Sequence, residues 1–298
     1  MTRMVRAPFV AAPEGRLRIV CPDRPGIVAA VSGLLAAHGA NVVDSQQHST
    51  DPEGGTFFMR MAFRPADASS AARERLDRAV RTELAERFAM RYRLRWSDAP
   101  RRTAILVSKA DHALLELLWR HGAGELAIDL RFVASNHDRL RSAADRFGVP
   151  FVHLPIVADG RAGQEARLRA ALDAEDVEFV ILARYMQVLS PEFCAAYAER
   201  ALNIHHSFLP AFVGADPYRQ AWKRGVKVIG ATAHYVTEEL DQGPIVAQDV
   251  AHVDHRASPR DLARIGREIE RRVLVRAVEA HVADAVVVHD GRTIVFRP

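Results

Sequence analysis

An asparagine, a histidine and an aspartate are the residues of this chain best suited to chemistry on a carbonyl group. Asn203 and His205 lie two residues apart in an apolar run, so an extended strand would place both side chains on one face. Asp241 follows in a later turn, between two further apolar runs. A carboxylate beside a histidine favours the protonated ring, and an adjacent amide can donate to an oxyanion. The three residue types therefore predict a site that cleaves an amide bond.

A second histidine, His206, directly follows His205. Because neighbouring residues of an extended segment project to opposite sides, the pattern predicts that His206 faces away from Asn203 and His205. The two histidines and Asp241 could instead ligate a metal, but no other ligand pair at a familiar spacing accompanies them. The turn around Asp241 could also be an ordinary hairpin, since these residue types are common in turns. We expect no metal and no cofactor.

The elements that must position these side chains alternate between strand-like and helical patterns. Near-continuous apolar runs such as residues 103–107 are typical of strands buried on both faces of a parallel sheet. Repeated strand and helix units predict a doubly wound α/β fold, with a mostly parallel sheet whose ligand lies beyond the carboxyl ends of the strands. After one such strand come residues that could either pack on a flat ring or fill a short turn, namely Tyr185, Met186, Gln187, Val188 and Leu189.

The first third of the chain has a different pattern. After a tail at residues 1–14, residues 15–97 follow the order strand, helix, strand, strand, helix, strand, which predicts a ferredoxin-like βαββαβ domain. Asp23 is expected to cap the first helix. Residues 98–102 break both periodicities and are interpreted as a linker to a second domain at residues 103–298.

Two segments of the first domain resemble the ACT family of amino-acid-binding regulatory modules. They are Pro-Asp-Arg-Pro-Gly-Ile-Val at residues 22–28 and His-Gly-Ala-Asn-Val at residues 38–42. The resemblance implies an amino-acid effector and a homodimer or homotetramer. Backbone amides at the start of a helix can bind the carboxylate of an amino acid. The alternative interpretation of this segment is a turn that only joins a strand to a helix. The implied effector contacts are Asp23, Arg24, Pro25, Gly26, Ile27 and Asn41.

From about residue 102 onward, the chain resembles the formyltransferases that use 10-formyltetrahydrofolate. The resemblance rests on Asn-Ile-His at residues 203–205, Ser-Phe-Leu-Pro at 207–210 and the run Val-Thr-Glu-Glu-Leu-Asp-Gln-Gly-Pro-Ile at 236–245. It implies that Asn203, His205 and Asp241 are catalytic. The segment at residues 182–190 resembles the one that holds the pterin. The implied substrate contacts are Tyr185, Met186, Gln187, Val188, Leu189, His206 and Gly243.

The sequence differs from the pattern of this family in two places, and these differences narrow which reaction of the family we expect. No glycine-rich phosphate loop follows the first strand at residues 108–112, and His206 stands where many relatives have proline. With the ACT-like segment in front, the chain resembles the formyltetrahydrofolate deformylases over nearly its full length. This resemblance implies that Asn203, His205 and Asp241 activate water, releasing formate that supplies purine synthesis and balances the one-carbon folate pool. The alternatives are formyl transfer to an amine and an amino-acid sensor with an inactive second domain.

The composition excludes several other classes of protein. The 298 residues are 49% apolar, a length that favours two domains. The 41 Lys and Arg against 37 Asp and Glu give a net charge of only +4, spread along the sequence, so we expect no nucleic-acid partner. No apolar run reaches transmembrane length, so we expect no membrane partner. Cys21 and Cys194 cannot form a disulfide framework, which favours the cytoplasm.

Overall fold

The computed structural model describes residues 13–51, 53–158, 160–211 and 217–297. Most of the tail expected at residues 1–14 therefore lies outside the described residues. The chain divides into two compact units, and the division falls between Ala99 and Pro100.

The first unit has the predicted ferredoxin-like order. Its elements are β1 (Gly15–Pro22), α1 (Ile27–Ala37), β2 (Ala40–Ser49), β3 (Thr56–Pro65), α2 (Ser70–Ala79), a π-helical stretch (Val80–Ala85), α3 (Glu86–Phe88) and β4 (Arg91–Trp96). The sheet order is β2-β3-β1-β4, and each strand pair is antiparallel. Leu17, Ile19 and Val31 contribute to the core between this sheet and its helices, which explains the apolar alternation of β1 and the helical spacing of α1.

The start of helix α1 differs from the prediction. Its N-cap is Gly26, in a left-handed conformation with φ 91°, and no side chain caps the helix. The Asp23 carboxylate instead accepts a hydrogen bond from Ser49 Oγ at 2.5 Å. The expected Asp23 cap is therefore wrong. An N-cap residue directly precedes its helix, and the residue in that position is Gly26, three residues after Asp23. Glycine favours the left-handed conformation because it has no Cβ.

The second unit follows the predicted alternation of strands and helices. Its elements are β5 (Arg101–Val107), α4 (His112–Gly122), β6 (Ile128–Ser135), a 3₁₀ turn (Asp138–Leu140), α5 (Arg141–Arg146), β7 (Phe151–His153), α6 (Gly160–Ala174), β8 (Phe179–Leu182), α7 (Pro191–Ala196), β9 (Ala201–His205), α8 (Pro217–Arg224), β10 (Val228–Tyr235), β11 (Ile245–His252), α9 (Pro259–Val282), β12 (Val286–His289) and β13 (Arg292–Val295). Strands β12 and β13 pair antiparallel as a hairpin.

The seven-stranded sheet explains where a ligand can bind. Its order is β11-β10-β9-β8-β5-β6-β7, with parallel pairing from β7 to β9 and antiparallel pairing of β9 with β10 and of β10 with β11. The mostly parallel sheet is thus confirmed. After β5 the chain builds β6 and β7 on one side and then β8 and β9 on the other. This reversal leaves a crevice beyond the carboxyl ends of β5 and β8.

Helix α9 covers one face of the sheet and packs against β9, β10 and β11. Ser258 accepts a hydrogen bond from the Asp261 backbone, and the Asp261 carboxylate accepts from the Ser258 backbone, forming a capping box. Its buried stripe is apolar except for Glu270 and His281 near its middle and end. A buried carboxylate costs free energy unless it is paired, so Glu270 indicates a polar neighbourhood beneath this helix.

Candidate active site

The three predicted catalytic side chains meet beside one cavity of about 980 Å³. Strands β9 and β10 pair so that Asn203 lies opposite His234. The Asn203 amide nitrogen is 3.2 Å from His234 Nε2. His205 Nδ1 lies 3.2 Å from Asp241 Oδ1, and His234 Nε2 lies 3.7 Å from the same oxygen. Asp241 Oδ1 therefore lies near the rings of both His205 and His234. The Asn203 amide contacts the His234 ring.

His205 is fixed at both of its ring nitrogens. Nδ1 faces Asp241, while Nε2 lies 3.1 Å from Ser207 Oγ. Because the Ser207 hydroxyl donates to the Ala211 carbonyl at 2.6 Å, its oxygen is available to accept from Nε2. Each nitrogen of His205 thus faces a hydrogen-bond acceptor, the arrangement that suits a doubly protonated ring. Such a ring can donate charge-assisted hydrogen bonds.

Asp241 is held as a carboxylate. Burial is the largest single influence on its pKa and raises it, but hydrogen bonds and charge from His205 and His234 together hold the pKa well below its usual value. The backbone at Asp241 adopts a left-handed conformation with φ 59°. Two residues later, a Cβ on Gly243 would lie 1.7 Å from the Tyr235 carbonyl oxygen. The close approach at Gly243 and the turn at Asp241 together place the carboxylate against His205.

His206 lines the same cavity as Asn203 and His205, so its expected placement on the opposite side is wrong. Strand β9 ends at His205, and strand alternation does not extend past that residue. The ring centroid of His206 is 5.2 Å from that of His205. Burial, followed by the Arg184 cation, lowers the pKa of His206 to about 3. His206 is therefore a neutral imidazole.

The residues expected to hold the pterin all line this cavity, from Tyr185 to Leu189. The Tyr185 hydroxyl accepts a hydrogen bond from Gln164 Nε2 at 2.8 Å, and its side chain is buried in the core. Met186 and Val188 are 60% and 57% exposed, respectively, and offer apolar surface at the mouth. Gly243 is not among the described residues that line the cavity, so the expected substrate contact there is not observed. Its role is the close packing on Tyr235.

A second polar cluster, comprising His112, Arg184, Tyr218 and Glu270, lines the cavity and was missed by sequence reasoning. Glu270 accepts hydrogen bonds from Tyr218 at 2.6 Å and from His112 Nε2 at 2.8 Å, and Arg184 Nε lies 3.6 Å from it. Burial raises the pKa of Glu270, but these three partners outweigh it and lower the pKa overall. Arg184 adopts a left-handed backbone with φ 66°.

His234 was also left without a role, although its position had one detectable signal. It lies in a strand-like run next to the motif, and pairing that run with residues 201–205 would bring it opposite Asn203. The members of the second cluster carry no comparable signal. His112 and Glu270 are separated by 158 residues, and only the fold brings them together.

In the first unit, the expected effector residues are partly engaged in structural contacts. Arg24 donates to the Arg87 carbonyl and places its guanidinium 4.4 Å from the Phe88 ring centroid. Ile27 is buried in the core, so an effector contact by its side chain is wrong. Pro25, Gly26 and Asn41 are exposed, which leaves the turn before α1 accessible.

Comparisons with known proteins agree with this architecture. The ACT domain model matches residues 15–80, and the formyl transferase model matches residues 101–278. A formyltetrahydrofolate deformylase of Bacillus subtilis is 48% identical over 95% of this chain and 94% of its own length. The chain belongs to the formyltetrahydrofolate deformylase family. All three resemblances seen in the sequence are thereby confirmed.

Solved structures distinguish this deformylase family from its transferase relatives. A formyltetrahydrofolate deformylase from Pseudomonas syringae superposes with a TM-score of 0.90 and 43% identity, covering 97% of this chain and 96% of that one. A glycinamide ribonucleotide transformylase from Symbiobacterium toebii has a TM-score of 0.64 and 31% identity, covering 66% of this chain and 95% of that one. The similarity to the deformylase therefore extends over both units.

Within the described ranges, no group of three or more His, Cys, Asp and Glu side chains is arranged to hold a metal ion. No helix in the described part of the chain is both long and apolar enough to span a membrane.

Proposed function

We propose that this protein hydrolyses 10-formyltetrahydrofolate to formate and tetrahydrofolate. The observation that carries this function is the similarity to named formyltetrahydrofolate deformylases over 95% of the chain. The meeting of Asn203, His205 and Asp241 at the crevice of the sheet supports it independently, because an amide, an imidazole and a carboxylate suit cleavage of a formamide bond. Formyl transfer to an amine is not favoured.

Asn203 and His205 are the groups that polarise the formyl oxygen in this proposal. An asparagine amide carries two N–H bonds, and the contact with His234 uses only one of them. The second N–H donates to the oxyanion that forms when water attacks the formyl carbon, and the positive charge of a protonated His205 stabilises that oxyanion. Asp241 supplies the negative charge that balances His205. The three residues thereby activate the formyl group toward water and stabilise the tetrahedral intermediate.

The pterin and its neighbouring rings occupy the apolar side of the cavity. Met186, Val188 and Leu189 provide a thioether and aliphatic surface for a flat ring system. Tyr185 supports this surface from the core, and Gln187 adds a polar side chain at the cavity wall. A volume of about 980 Å³ suits a ligand with several rings.

The first unit is proposed to be regulatory. An amino acid would bind near Asp23, Arg24, Pro25, Gly26 and Asn41, where no side chain caps the start of helix α1. The protein would act in the cytoplasm as a homodimer or homotetramer. Its formate would supply purine synthesis and balance the one-carbon folate pool.

The decisive experiment incubates the purified full-length protein with 10-formyltetrahydrofolate and no amine. We expect equal amounts of formate and tetrahydrofolate, measured by a formate dehydrogenase assay and by chromatography. Release that depends on an added amine would support a transferase and contradict the proposal. Unchanged formyl folate, with an amino acid still bound, would indicate a sensor instead.

A further inference from the structure

The attacking water needs a proton acceptor, and the three proposed catalytic residues are poorly suited to that role. His205 has both ring nitrogens engaged, one by Asp241 and one by Ser207. Asp241 Oδ1 lies 3.2 Å from His205 Nδ1 and 3.7 Å from His234 Nε2, so this carboxylate oxygen is already engaged by two rings. Asn203 has no basic atom. A fourth group is therefore needed beside them.

His206 is the cavity residue that fits this need. Its ring lies next to that of His205, with centroids 5.2 Å apart, and both rings line the cavity. Within the described part of the chain, neither nitrogen of His206 has a hydrogen-bond partner. The centroid of the Tyr218 ring lies 6.0 Å from that of the His206 ring. His206 thus presents an unengaged imidazole to the cavity that Asn203 and His205 also line.

The charges around His206 keep its ring neutral until a substrate reacts. Burial and the Arg184 and His205 charges disfavour the cation, whereas Glu270 and Asp241 favour it. When water attacks, negative charge develops on the formyl oxygen, and a nearby negative charge favours protonation of an imidazole. The ring is therefore neutral at the start and better able to hold a proton as the intermediate forms.

We propose that a ring nitrogen of His206 holds the attacking water and takes its proton. This inference rests on the proposed hydrolysis. As a lone pair of the water oxygen forms the bond to the formyl carbon, the carbonyl π electrons move to the formyl oxygen and the water proton moves to His206. The bond between the carbon and N10 then breaks, and its electron pair leaves with N10. His206 returns the proton to N10, giving tetrahydrofolate and formic acid, which ionises to formate.

The test compares His206→Ala with wild type in the acceptor-free assay. We expect kcat to fall about 100-fold, as is typical when a general acid–base group is removed, while KM stays within about threefold. Added imidazole should raise the kcat of His206→Ala at least about tenfold, because a free base can enter the space that the His206 ring has left. His206→Gln, which keeps polar volume but cannot carry a proton between two sites, should show the same loss. It serves as the folded variant if alanine destabilises the cavity.

His153→Ala is the matched control. His153 is partly exposed on β7, near Asp138, and does not line the cavity. Its kcat should equal that of wild type, with or without imidazole. If wild type hydrolyses the substrate and the kcat of His206→Gln lies within threefold of the wild-type kcat, the role proposed for His206 is overturned. The proposed hydrolysis then still stands. Loss of activity in both His206 variants without imidazole rescue of the alanine variant would also overturn that role. Absence of acceptor-free turnover in wild type would instead refute the proposed function.

Discussion

Asn203 is the residue whose contribution can be separated most cleanly from the others. Among the described side chains, its amide has a hydrogen-bond partner only in His234, and it carries no charge. Replacing it with alanine removes one oxyanion donor without leaving a buried charge unpaired. For Asn203→Ala we expect kcat to fall about 100-fold or more, with a stability close to wild type. Acceptor-free formate release and thermal unfolding measure the two quantities.

The control for this prediction is Asn136→Ala. Asn136 accepts a hydrogen bond from Ser108 at 2.8 Å but does not line the cavity. Its kcat should stay within threefold of wild type. An Asn203→Ala enzyme with wild-type kcat would show that the amide does not bind the oxyanion.

The residues of the site differ in how far the sequence could reveal them. Strand alternation placed Asn203 and His205 together because both lie inside β9. The same rule failed one residue later at His206, where the strand has ended. Glu270 could not be found, because its partners His112 and Arg184 come from distant segments and a buried glutamate has no local signature. Local periodicity reveals side chains within one element, whereas clusters that span several elements depend on tertiary packing.

Glu270 shows how helix α9 is tied to the cavity. The carboxylate is 1% exposed and is held by His112, Tyr218 and Arg184. Glu270→Gln removes its charge and leaves the Arg184 cation without its carboxylate. We expect the free energy of unfolding at pH 7 to fall by about 3 kcal/mol, a typical cost of breaking a buried ion pair. Urea titration of the full chain measures it.

The pH dependence of this effect follows from the lowered pKa of Glu270. A carboxyl whose pKa is lower in the folded state stabilises the fold above its unfolded pKa, about 4.3, and loses that contribution as the pH falls through its folded pKa. The difference between wild type and Glu270→Gln should therefore be greatest near neutral pH and shrink in acid. Glu268→Gln is the control, since Glu268 is exposed on the same helix. It should change stability by less than about 0.5 kcal/mol at either pH.

The loop between β10 and β11 positions Asp241 through one close backbone contact. A Cβ on Gly243 would lie 1.7 Å from the Tyr235 carbonyl oxygen, and backbone cannot move as a flexible side chain can. Gly243→Ala should push the loop outward and move Asp241 away from His205. A displacement of this kind, about 1 Å, can lower kcat about 100-fold. Acceptor-free turnover is the measurement.

Gly122→Ala is the matched control, because a Cβ there meets Phe147 at 3.5 Å, an ordinary contact. It should leave kcat unchanged. Wild-type turnover by Gly243→Ala would mean that the loop tolerates the shift and that Asp241 does not need its present position.

The order of elements was predictable because each has a strong local pattern. The capping box of α9 and the period-two alternation of β4 are encoded within a few residues. The start of α1 was not predictable in the same way. Asp23 is a good capping residue by type, but its side chain bonds to Ser49 on β2, a partner 26 residues away. Competition from a distant partner thus overrode a local preference.

At the scale of the whole molecule, the sheet of the first unit bears on assembly. Its order leaves β2 and β4 paired on one side only within the described residues. Edge strands with unpaired backbone groups favour pairing with another chain. Val43 on β2 is 45% exposed, which adds apolar surface next to this edge. These features fit the proposed homodimer or homotetramer, and we propose the β2 side of the sheet as its contact surface.

A lysine at Val43 tests this assembly, because a charge buried without a partner in an interface opposes association. We expect wild type to sediment as a dimer or tetramer and Val43→Lys to shift toward monomer by analytical ultracentrifugation. Val295→Lys is the control, since Val295 is a valine of the second unit with 44% exposure. It should sediment as wild type does. A monomeric wild type would contradict the proposed oligomer, whereas an unaltered Val43→Lys oligomer would place the contact elsewhere on the chain.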